Sequence, residues 1–110
     1  MRIMTVTPTD VVYEVHSADA TSLTTLQAEC GGPVEAISLT ADRVMWVHED
    51  GKSLGQPFNR RATAALKAAG RAFPGDWIAG TAVITGRKGP ETTSLTDEQL
   101  ARTYQDLAIR

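Results

Sequence analysis

"VEAISLTADRVMWV", Val34 to Val47, is the stretch whose reading decides the fold. Val34, Ala36, Ile37 and Leu39 read as one strand, and Arg43-Val44-Met45-Trp46-Val47 as a second. Thr40-Ala41-Asp42 links them. So short a link leaves no room for a crossover, so the two strands pair antiparallel.

Upstream, the first fifteen residues alternate, with Ile3, Thr5 and Thr7 opposing Met4 and Val6. Thr7-Pro8-Thr9-Asp10 reads as a turn, and Val11 to Val15 as the returning strand. Ser22 to Cys30 then sets Leu23, Leu26 and Cys30 at helical spacing, with Thr21 or Ser22 as cap and Gly31-Gly32 as exit. Downstream, Glu49-Asp50-Gly51-Lys52 is a turn, and a helix follows from about Asn59 to Ala69, ending at Gly70. Its stripe is Ala62, Ala65, Leu66 and Ala69, narrow enough to lie close on a sheet. Asp76 to Thr85 reads as the strongest strand, and Gly86 to Glu91 as a polar, mobile loop. Thr96 with Gln99 forms a capping box, Leu95 and Leu100 a hydrophobic staple, and Leu100, Tyr104 and Leu107 the face of a last helix. The expectation is one α+β domain over residues 1–110, a mostly antiparallel sheet of about five strands with two to three helices.

Composition narrows the function. With 42% hydrophobic and 22% charged residues the chain is ordinary for a globular protein, and at 5% aromatics its core rests on Val, Ile, Leu and Ala. No apolar run approaches the ~20 residues of a membrane span. The N-terminus lacks the apolar block of a signal peptide, so a cytoplasmic location is expected. The lone Cys30 excludes an intramolecular disulfide and a cysteine-based zinc site; on the apolar side of its helix it reads as a small core residue. His16 and His48 read as exposed at strand ends. A metal site from them with Glu49 and Asp50 competes with the simpler reading of a solvated turn, and no metal or cofactor is expected. No nucleophile elbow, zinc-protease motif or phosphate loop is present, so an enzyme is not expected.

Charge is uneven. Residues 1–50 carry two basic against eight acidic side chains, and residues 51–110 nine against five, for a net charge of −2. The helix start at Asn59 is the one oddity. Its first turn is the positive end of the helix, yet it opens with Arg60 and Arg61. Three readings stand side by side. The arginines face water; they pair with carboxylates of the chain, such as Glu49 or Asp50; or they hold an anion such as a nucleotide, with Asn59, Arg60, Arg61, Thr63 and Lys67 as the site. A pI near 5.6 and the lack of interleaved aromatics argue against nucleic acid.

Four motifs carry a resemblance: "LQAECGGPVEAISL", "HEDGKSLGQPFNRRATAAL", "DWIAGTAVITG" and "SLTDEQL". An acidic-Gly turn precedes a Pro-x-Asn-x-x-Ala-Thr helix start, here Pro57 to Thr63, and an Asp-x-Ile-x-Gly strand follows at Asp76 to Gly80. The chain from Leu26 to about Ile84 thereby resembles a family of short uncharacterised proteins, a domain of unknown function common in phages and in actinobacterial or mobile-element genomes. The resemblance implies a setting and no mechanism. Small accessory proteins of that setting act by binding, so the leading expectation is a non-enzymatic accessory protein that binds a host protein or itself as a homodimer. Exposed edges in so small a sheet favour pairing.

Overall fold

Alternating apolar side chains give six strands, and helical spacing gives three helices. In the computed structural model, which describes residues 1–71 and 75–108, these are β1 (Arg2–Val6), β2 (Val12–His16), α1 (Leu23–Cys30), β3 (Val34–Thr40), β4 (Arg43–His48), α2 (Arg60–Ala68), β5 (Ala82–Lys88), β6 (Glu91–Thr93) and α3 (Asp97–Leu107). The hairpin read between Val34 and Val47 is present as β3 and β4, antiparallel, with a register shift between Ser38 and Thr40. All pairing is antiparallel, in the order β2-β1-β5-β4-β3, and β6 pairs with the far end of β5. This is a single α+β domain.

Alternation along each strand divides two cores. Met4, Val6, Leu39, Met45, Val47, Ala82 and Ile84 face one way, where α2 brings Ala62, Ala65 and Leu66 and α3 brings Leu107. Ile3, Val83 and the half-buried Trp46 face the other way, against Leu26 and Cys30 of α1. Three of the sequence readings of caps hold. Ser22 accepts from the Thr25 N–H, Asn59 caps α2, and Thr96 and Gln99 form a reciprocal capping box.

Several boundaries move. The strand expected from Asp76 begins only at Ala82, because Gly80 adopts φ +79° and turns the chain; Asp76 to Ala79 run outside the sheet, where Ala79 makes an isolated bridge with Phe58. The loop expected from Gly86 to Glu91 is instead a hairpin. β5 continues through Lys88, Gly89 turns at φ +58°, and β6 returns. The buried face of α3 is Gln99, Thr103 and Leu107, while Tyr104 is exposed and donates its hydroxyl to Glu14. Polar residues occupy this interior because each has a partner there: Thr103 accepts from the buried Arg43, whose guanidinium also donates to Asp106, and Gln99 accepts the Thr96 N–H and donates to Asp42. Leu23 is exposed, so α1 buries only Leu26 and Cys30. His48, expected at the surface, is buried. Its Nδ1 accepts the Asp50 N–H, and a Cβ placed on Gly32 would lie 2.6 Å from its Nε2, so only glycine fits beside the ring.

A closed end and an open end of helix α2

The start of α2 is built around Asn59, which is fully buried. Its Oδ1 accepts the Ala62 N–H at 3.0 Å, satisfying one of the orphan donors of the first turn. Its Nδ2 donates to the Val6 and Gly80 carbonyls, both at 2.9 Å. Its main-chain N–H donates to the Ile78 carbonyl. Thr63 sits one turn on, donating to the Asn59 carbonyl and accepting the Ile78 N–H. Two side chains thus join β1, α2 and the segment leading into β5.

The arginines face the other way. Arg60 Nη2 lies 2.8 Å from Asp10 Oδ2, and Arg61 Nε 3.7 Å from Asp10 Oδ1. Arg61 also donates to the Leu107 carbonyl at the end of α3. The internal carboxylate is Asp10 of the β1–β2 turn, and not Glu49 or Asp50. Asp10 takes φ +66°, a left-handed conformation that Asp tolerates better than most residues. Lys67 is exposed in the last turn, where the helix's negative end favours a cation. The five residues of the anion reading therefore divide: Asn59 and Thr63 point inward with their polar atoms bonded, Arg60 and Arg61 converge on Asp10, and Lys67 stands at the opposite end.

That opposite end is concave. A cleft of about 350 Å³ opens between α2, the first half of β3, the end of β4 and the Asp76–Ala79 segment. Ile37, Val47, Leu66 and Ile78 line it with apolar surface. Charged groups stand around it: Glu35, Glu49 and Asp76 against Lys52 and Arg71. Lys52 is held in place, its Nζ 3.4 Å from Asp76 Oδ1 and 5.1 Å from the centroid of the Trp77 ring. Phe58 stacks obliquely on Trp77 at 5.9 Å, and both Phe58 and the neighbouring Leu54 are exposed. Glycines set the wall. A Cβ on Gly80 would fall 2.0 Å from Gln56 Oε1, and one on Gly51 would fall 3.0 Å from the Ala79 carbonyl oxygen, so the loop carrying Lys52 closes directly onto the chain entering β5. Among the described residues, Glu35 and Glu49 have no ion-pair partner.

Sequence reasoning passed over this cleft. Ile37 and Val47 were legible as strand residues, but Trp77 read as a strand member, and nothing local ties Glu35 to Lys52. Their meeting depends on tertiary packing.

Two further groups show perturbed acidity. Asp42, in the β3–β4 turn, accepts from Thr40 Oγ1, from Gln99 Nε2 and from Arg102; bonded first by Thr40, its carboxyl is held down at about 2. Cys30 is buried as expected, and burial, with Glu29 adjacent, pushes its thiol up to about 12. A neutral thiol is a poor nucleophile. Among the described residues, no three His, Cys, Asp or Glu side chains lie together as a metal would require. No helix among the described residues is long and apolar enough to cross a membrane.

The fold and the cleft define an α+β domain on a wholly antiparallel sheet, with helices on both faces and one concave end. The chain belongs to the family described as Domain of unknown function (DUF3846), whose model matches residues 1–108 and so takes in β1, upstream of the resemblance read from Leu26 onward. No curated protein and no solved structure matches it.

Proposed function

We propose that this chain is a non-enzymatic, cytoplasmic accessory protein of a phage or mobile element that acts by binding protein, with the outer edge of β3 and the adjoining cleft as its contact surface. One observation carries the reading: Glu35 and Ile37 belong at once to an edge strand and to the cleft wall. An extended segment that adds to β3 passes its alternate side chains over the cleft, so main-chain bonds supply affinity and the apolar floor supplies selection. The genomic setting rests on the Asn-Arg-Arg-Ala-Thr resemblance. The anion reading draws no comparable support, since Asn59 and Thr63 spend their side-chain donors within the chain and both arginines already face the Asp10 carboxylate.

The phase of the β3–β4 ladder supplies the test. The Glu49 N–H donates to the Pro33 carbonyl. With bonds alternating along an antiparallel pair, Glu35 and Ile37 bond to β4, whereas Val34, Ala36 and Ser38 direct their N–H and C=O groups outward. Ala36→Pro removes an outward donor and no ladder bond. Cross-linking of the protein, alone and in host extract, mapped by mass spectrometry, is expected to join peptides of the partner, a host protein or a second copy of the chain, to Lys52 and to lose them with Ala36→Pro. Cross-links indifferent to that substitution overturn the reading.

A further inference from the structure

We propose that the occupant of the β3 edge is a second copy of this chain, paired antiparallel across a two-fold axis near Ala36 and Ile37, with Glu35 of each copy beside Arg71 of the other. The proposal rests on the reading of β3 as the contact edge and names what fills it.

The two outermost strands of the sheet, β2 and β3, differ in a way that singles out β3 over β2 and over the three-residue β6. On β2 the Thr7-to-Val11 and Ser17-to-Met1 main-chain bonds set the ladder phase, so Val12, Glu14 and His16 carry the outward groups. Two of those three are ionisable. Glu14 and His16 bond each other at 2.9 Å, and Glu14 also receives the Tyr104 hydroxyl. Charged side chains gathered on a short strand are a standard defence against edge pairing. On β3 the outward residues are Val34, Ala36 and Ser38, with no charge among them. The strand is longer, seven residues against five. Nothing on it repels a neighbour except Glu35.

Charge then chooses the partner. A two-fold axis pairs the strand with itself, and its position fixes what Glu35 meets. Centred on Glu35, the arrangement sets two carboxylates face to face, which is unfavourable. Centred on Ala36 it sets Glu35 opposite Ile37 of the second copy, and centred on Ile37 it sets Glu35 opposite Leu39. Glu35, Ile37 and Leu39 all lie on the α2 face of the strand. Arg71 waits at that point: its Nε lies 3.5 Å from the Leu39 carbonyl oxygen, and among the described residues it has no acidic partner. Either favourable register therefore brings Glu35 of one copy to Arg71 of the other, twice per dimer. The same contact closes both clefts on their β3 side and leaves no further β3 edge exposed, so assembly stops at two.

Sedimentation velocity across a concentration series reads the result. The wild-type chain is expected to dimerise. Glu35→Arg and Arg71→Glu should each weaken association roughly tenfold or more, since symmetry doubles each lost pair and like charges replace it, and the double exchange should recover most of the loss. Ala36→Pro should give a folded monomer. A dimer indifferent to all three changes overturns this pairing and the β3 reading together. A natively folded monomer at every concentration overturns only the second copy; β3 amides that then gain hydrogen-exchange protection on addition of a host protein leave the edge as a binding surface. Failure of the double exchange to rescue association also overturns the proposed register.

Discussion

The two ends of α2 answer opposite questions. At the first turn, polar atoms are dense and nearly all have partners inside the chain: Asn59 bonds three segments, Thr63 two, and both arginines lean on Asp10. At the last turn, apolar side chains line a hollow, and two of the carboxylates around it, Glu35 and Glu49, have no ion-pair partner among the described residues. A cluster of charge in a sequence marks a place where the chain has an electrostatic problem. Whether that place is a site depends on whether the fold has already solved it.

The sharpest way to break this comparison is Asn59→Ala. It removes the cap and strands two buried carbonyls, with an expected loss of about 3–5 kcal/mol in denaturant unfolding. A loss below ~1 kcal/mol would mean the closed end does not hold the fold. Thr63→Val keeps the shape and deletes a hydroxyl with two bonds, at an expected cost of about 1–3 kcal/mol by the same measurement.

Asp42 extends the comparison to pH. Its carboxyl is held at about 2 in the folded chain, below its ordinary 3.8, so its ionised form stabilises the fold above pH 4. That contribution falls away as pH drops from about 4 to about 2. Thermal unfolding should therefore show the wild type losing more stability than Asp42→Asn across that interval, and equal slopes would refute it. The effect is moderated by water, because the side chain is 43% exposed.

Arg60→Ala should cost less than ~1 kcal/mol, shrinking further at high salt, since the Asp10 pair is open to solvent. Lys52→Ala at the open end should change stability least, within ~0.5 kcal/mol, because that side chain too is exposed. If Lys52→Ala destabilised more than Asn59→Ala, the roles of the two ends would be reversed.

Much of the fold was legible. The β3–β4 hairpin, the three caps and the stripe Ala62-Ala65-Leu66 all follow from local spacing, and local spacing persists in the structure. The misreadings share a cause. Trp77 and Ile78 have strand-like composition, but Gly80 turns the chain before the sheet begins, and a glycine's φ is not written in its neighbours. His48 looked like a surface residue because Gly32, which leaves room for its ring, is remote in sequence. Arg60 and Arg61 were legible as a charge anomaly. Their partner Asp10 was not, since fifty residues separate it from Arg60 and only the closed sheet brings them together.

Asn59 also sets an order of events. Its side chain bonds Val6, on the first strand, and Gly80, just before the fifth, so the two bonds exist together only once chain on both sides of α2 is in place. A chain still emerging from the ribosome, complete through Gly70 but short of Gly80, has only the Val6 half of that anchor to offer α2. A helix of nine residues has little stability alone. Full anchoring of α2 therefore waits on the chain that leads into β5, and pairing strands so distant in sequence slows folding. The residue that caps the helix is also a latch that engages fully only when chain from both sides of it has been made.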